Sequence, residues 1–149
     1  MTCLLTWPCY AKSVGLRLPP LLLEWRRNHC RYPPFLLGEE LRREVLEAIL
    51  EAAAAPRITL LAVHVRETHV HVVIDSNRSP SIVGKALKSA ATRRLRARGL
   101  VDPARPIWAD YLNVRPLRTR EAILHAIHYV VEKQGSPMAL WHIPSAIHV

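Results

Sequence analysis

The chain has 149 residues, half of them hydrophobic, with 21 Lys and Arg against 12 Asp and Glu and a net charge of +9. That length suits one domain spanning residues 1–149 with a proper core, and that hydrophobic share excludes an intrinsically disordered chain. The positive balance points to a polyanionic partner, and no apolar run approaches the ~20 residues of a membrane span, so no membrane partner is expected.

Cys3, Cys9 and Cys30 contain no CxxC pair. They read as reduced thiols rather than a disulfide frame or a zinc site, and Pro8 interrupts the short apolar start before any cleavage pattern. A cytoplasmic, nucleoid-associated setting is the expectation.

Thr2 to Trp7 predicts a short apolar first strand. Residues 8–37 read as an irregular insertion carrying Pro19-Pro20 and Pro33-Pro34, with a short helical turn over Leu21 to Arg27. Within it Trp25 reads as a lid over the core, with base stacking as the alternative. Gly38 to Ala55 predicts the first helix: Glu39 and Glu40 suit the positive end of its dipole, Leu41, Val45, Ala48, Ile49 and Ala52 form one stripe, and Pro56 closes it. Arg57 to Val65 and Thr68 to Ile74 predict an antiparallel hairpin, and residues 76–80 a turn.

Ser81 to Arg98 predicts the second helix, with Val83, Leu87, Ala90, Ala91 and Leu95 buried. Lys85, Lys88, Arg93, Arg94, Arg96 and Arg98 give it six cations and no acid. Helix-end electrostatics and solubility account for some of them; six exceed what capping requires, so phosphate-backbone contact is expected. Ile107 to Leu117 predicts a strand or bent strand pair. Thr119 to Gln134 predicts the third helix, with Thr119 as N-cap and Gly135 after its end. Its stripe is Ile123, Ala126, Ile127, Val130 and Val131, which leaves His125, His128, Tyr129 and Glu132 off the core. Residues 136–149 form a tail with a strand near Met138 to Trp141. The pattern implies an α+β fold with a ferredoxin-like antiparallel sheet, its valines buried against the first two helices and its histidines on the other face.

Those histidines carry the chemistry. In HVHVV, strand alternation puts His69 and His71 on one face and Val70, Val72 and Ile74 on the other. Two imidazoles so spaced can share a divalent ion, although two half-buried polar residues are the commoner meaning of such a pair. His64, one strand earlier, reads as a buried, hydrogen-bonded residue. Trp7, Trp108 and Trp141 read as core, and His29, His142 and His148 carry no argument.

The order of parts, LTW, then HVHVV, then the basic KALKSAATRRL helix, then IW, then HYVVEKQG, resembles the single-tyrosine HUH transposases. These include the insertion-sequence-200-like and REP-associated tyrosine transposases, and the likeness runs from Cys3 to about Trp141. The resemblance implies an enzyme that cuts and rejoins single-stranded or hairpin DNA through a 5′-phosphotyrosine. It makes Tyr129 the nucleophile and His69 and His71 ligands of Mg²⁺ or Mn²⁺, with the active site on the histidine face of the sheet. Imidazoles suit Mn²⁺ better. The basic helix would hold DNA. Family members carry a third polar ligand four residues after the tyrosine, and here that position is Lys133. Gln134 follows it, but on a regular helix five residues turn to about 140° from Tyr129. Gln134 therefore serves only if the helix ends there; His125 and Glu132 are the other candidates. Both monomers and homodimers with shared active sites occur in the family. The alternative function is a non-catalytic binder of single-stranded or structured nucleic acid, which the Lys133 departure motivates. A histidine-triad hydrolase ranks last, because Val73 stands where its third histidine belongs.

Overall fold

The computed structural model describes residues 1–11, 21, 32–55 and 57–144. Residues 22–27 of the expected helical turn, Trp25 among them, and His29, Cys30, Pro56 and His148 therefore lie outside the described residues. Strands β1 (Thr2–Pro8), β2 (Thr59–Val65), β3 (His69–Asp75), β4 (Asn113–Pro116) and β5 (Ala139–His142) alternate with helices α1 (Glu39–Ala54), α2 (Pro80–Ala97) and α3 (Arg120–Glu132). They form one sheet in the order β4-β1-β3-β2-β5, every pair antiparallel. The first four strands follow the split β-α-β order of a ferredoxin-like fold, and β5 extends the sheet beyond β2.

Alternation sorts the side chains. Cys3, Leu5, Trp7, Val63, Val65, Val70, Val72 and Ile74 meet Val45 and Ile49 of α1 and Leu87 and Leu95 of α2 in the larger core. Leu4, Ala62 and Val73 meet Ala126, Ile127, Val130 and Val131 of α3 in the smaller one. The third helix thus shares the face that carries the histidines. The register of β2 on β3 shifts between Leu60 and Ala62. This bulge lets Leu61 and Ala62 both join the α3 side while Leu60 and Val63 serve the other.

Helix ends follow local rules. Pro80, read from sequence as part of a turn, is instead the first residue of α2, where its missing N–H costs nothing. Leu100 N donates to Leu95 O and Gly99 N to Arg96 O, a Schellman closure made feasible by Gly99 at φ 67°. Thr119 Oγ1 accepts from Ala122 N at 3.0 Å, as its sequence position predicts. The expected strand over 107–117 is shorter than predicted. Before Asn113 it makes one bridge, Trp108 with Cys9, because this segment is diverted onto α2: Trp108 Nε1 donates to Lys88 O and Thr92 Oγ1. Leu112 presses on Gly84, where a Cβ would lie 2.4 Å from its side chain.

Candidate active site

The hairpin register puts His71 between two side chains of its own face, Thr6 on β1 and His64 on β2. Thr6 Oγ1 lies 2.8 Å from His71 Nδ1, and Gln134 Oε1 lies 3.2 Å from His71 Nε2. His69 sits beside His71, ring centroids 4.6 Å apart, with Thr68 Oγ1 3.0 Å from its Nδ1. The Tyr129 ring stands edge-on to His71 with centroids 5.9 Å apart, in the same chain. Tyr129 is 40% exposed and His71 only 4%, so the phenol faces solvent over a buried imidazole.

Gln134 arrives because α3 stops. Lys133 N still bonds Tyr129 O, but the helix ends at Glu132 and Gly135 takes a positive φ of 80°. The carboxamide then folds back and meets the His71 imidazole. His125 and Glu132, the other candidates for a third ligand, are exposed, and no hydrogen bond ties either to the pair. His64 is fully buried, as expected, with Nδ1 2.9 Å from Val130 O and Nε2 accepting from Met138 N at 3.0 Å.

Burial holds these rings neutral. It lowers His69 and His64 below the usual histidine value, and burial followed by the neighbouring His69 charge drives His71 from 6.5 to about 3. Neutral imidazole is the form that binds metal. Between pH 3 and 6.5 the unfolded chain holds a proton on His71 that the folded chain does not. The stability from keeping that ring uncharged is therefore complete above 6.5 and is lost as pH falls towards 3. With a chelator present, the denaturation midpoint should drop through this window, and His71→Asn should flatten that drop; identical pH slopes would remove His71 from the account.

The donor set is two imidazole nitrogens and one carboxamide oxygen. Among the described residues no three His, Cys, Asp or Glu side chains gather into a metal site. A cation would therefore depend on the amide as its third protein donor. The set fits such an ion: when the Thr6 hydroxyl accepts from Nδ1–H, the lone pair of His71 Nε2 is left for the cation. Mixed N and O donors suit Mn²⁺ more than Mg²⁺. Thr6 and Arg66 escaped the sequence reading. Only strand register brings Thr6 to His71, and Arg66, in the hairpin turn, donates to Ser136 O and adds positive charge beside both imidazoles.

The five cations of α2 and Arg98 at its C-cap separate into two groups. Arg94 does not face solvent as a phosphate ligand: its guanidinium is forked to Glu44, Glu47 and Glu51 of α1, and Arg98 joins Glu44. The acids that neutralise them come from another helix, which corrects the expectation for Arg94, whose side chain is 15% exposed, while Arg98 stays 55% exposed. Lys88 Nζ donates to Ala109 O at 2.8 Å. Lys85, Arg93 and Arg96 remain exposed and, with Lys88, Trp108 and Tyr111, line a groove of about 760 Å³. It lies on the α2 side of the sheet, opposite the histidines.

Cys3 and Cys9 are both buried. Among the described residues no helix is long and apolar enough to cross a membrane.

Two solved structures share the fold. A REP-associated tyrosine transposase bound to a REP hairpin aligns with a TM-score of 0.54 at 15% identity over 89% of this chain, which spans 65% of that one. A candidate transposase from Deinococcus radiodurans R1 aligns with a TM-score of 0.55 at 20% identity over 90% of each chain. No family model matches the chain. No curated protein does either.

Proposed function

We propose that residues 1–149 form one HUH-type transposase domain that cleaves and rejoins single-stranded or hairpin DNA through Tyr129. The observation that carries this reading is the meeting of an exposed phenol, two neutral imidazoles and the Gln134 amide on one sheet face of one chain.

Tyr129 Oη attacks the scissile phosphorus, the bond from phosphorus to the 3′ oxygen breaks, and the phenol proton ends on that oxygen. The products are a 5′-phosphotyrosine and a free 3′-hydroxyl, and attack by another 3′-hydroxyl reverses the step without water. A divalent cation held by His69, His71 and Gln134 supplies, when bound, Lewis-acid polarisation of the phosphate. Thr6 and Thr68 keep the two rings oriented through their Nδ1 atoms. The Arg66 guanidinium adds fixed positive charge where the phosphate gathers negative charge.

Lys85, Lys88, Arg93 and Arg96 hold the nucleic acid at a second place, across the sheet from the scissile bond. The hairpin held by the fold neighbour makes hairpin DNA the first substrate to try. Replacing Lys85, Arg93 and Arg96 together by Ala should weaken binding uniformly across sequences and flatten the salt dependence by about 0.7 per lost single-strand contact. Arg94→Ala should leave that slope alone and lower the melting temperature, since it unties α2 from α1. The reverse assignment of the two effects would place the DNA contact elsewhere.

The test of activity is a denaturing gel after mixing the protein with hairpin or single-stranded oligonucleotides and Mn²⁺. A covalent protein–DNA band is expected. Gel-shift binding with no such band under any divalent ion would favour the non-catalytic binder that Lys133 motivates.

A further inference from the structure

The buried His64 belongs to neither the metal donors nor the nucleophile, yet it touches both ends of the segment that delivers Gln134. Its zero exposure and its register opposite His71 fix the ring beneath the last turn of α3. Met138 N–H can only donate, so Nε2 is the unprotonated nitrogen, and Nδ1 carries the hydrogen and donates to Val130 O.

That carbonyl matters. In a continuing α-helix the partner of Val130 O would be the N–H of Gln134, four residues on. An imidazole N–H already occupies it, so one of the orphan carbonyls at the end of α3 is satisfied without Gln134. Gln134 is then free of helical phase, and its side chain need not point away from Tyr129. The same ring catches Met138 N at the other end of the link, and Arg66 binds Ser136 O between them. Residues 133–138 are thus pinned at both ends by one side chain.

We propose that His64 is a positioning residue: by capping Val130 O and holding Met138 N, it ends the tyrosine helix before Gln134 and sets the carboxamide over His71. The inference deepens the proposed function and rests on it for its metal consequence, while the positioning itself can be read without metal or DNA.

The metal-free test follows the ring ¹⁵N and ¹H signals of His71 and His64. In the unaltered protein His64 should show the Nδ1–H tautomer; the other tautomer overturns the proposal. Gln134→Ala should move the His71 signals, and His64→Phe, which keeps a ring but loses both bonds, should move them in the same way. His64→Gln retains one donor and one acceptor and should restore them in part. If His64→Phe fails to fold, the tautomer and the His64→Gln spectrum still decide.

The second readout is Mn²⁺ affinity from the free-ion signal in electron paramagnetic resonance. His64→Phe and Gln134→Ala should each weaken it about tenfold, and the double variant should be no weaker than either. Additive losses, or His71 signals unmoved in His64→Phe, overturn the positioning role. Absence of a DNA adduct beside intact His64–Gln134 coupling would instead count against the proposed function alone.

Discussion

Tyr129→Phe should yield no covalent protein–DNA adduct above background on an oligonucleotide that the unaltered chain attacks, while binding in a native gel is unchanged. The substitution removes one oxygen. The ring stays edge-on to His71, and because Tyr129 is 40% exposed little packing energy hangs on its hydroxyl. Stability should stay within about 0.5 kcal/mol of the parent. A phenol that acts as nucleophile has no substitute within its own side chain, so the effect is all or nothing rather than graded. An adduct formed equally well by the Phe variant would strip Tyr129 of its role and leave a positively charged α+β domain to be explained otherwise.

His71→Ala should have the second largest effect, on metal response and on cleavage together. His71 is the hub of the site: Thr6 on one nitrogen, Gln134 on the other, His69 and Tyr129 against its faces and edges. Its removal deletes one donor, frees Gln134 and leaves the buried Thr6 hydroxyl without its imidazole partner, at a cost of about 1–3 kcal/mol in the metal-free protein. A ligand that binds only the folded state raises stability by about 2.7 kcal/mol at a hundred times its dissociation constant. The unaltered chain should therefore gain melting temperature with added Mn²⁺, and His71→Ala should gain none. An equal Mn²⁺ gain in both proteins would mean that the ion sits elsewhere, and the two-histidine site would have to be abandoned.

The two residues of largest effect were legible in different degrees. His71 could be read from HVHVV because strand alternation is a local rule; it needs no knowledge of what lies across the sheet. Tyr129 stood out through the resemblance of HYVVEKQG to the tyrosine helix of a known family and because it falls off the apolar stripe, and the second alone would fit any solvent-facing tyrosine. What singles it out is its 5.9 Å approach to a ring 58 positions earlier in the chain, which comes from α3 packing on the histidine face. The helix cap at Thr119 was similarly open to reading, being a contact between near neighbours.

The basic helix shows the limit most plainly. By composition the stretch from Ser81 to Arg98 offers six cations without an acid. Which of them face a partner is decided by α1, whose Glu44, Glu47 and Glu51 converge on Arg94 from 43 to 50 residues away. Charge belongs to a residue, but free charge belongs to an arrangement.

Amino-acid order by itself determined the periodicities, the caps, the order of a ferredoxin-like sheet and the facing of the histidine pair, because each follows from steric and hydrogen-bonding preferences over a few residues. Only the tertiary structure decided where α3 stops, since the partner that takes Val130 O comes from another strand. It also decided that Gln134 reaches His71, that Thr6 backs the ring and that Arg94 is withdrawn from solvent. Each of these is a meeting of groups far apart along the chain, and their distance in space is set by how two faces of one sheet are covered.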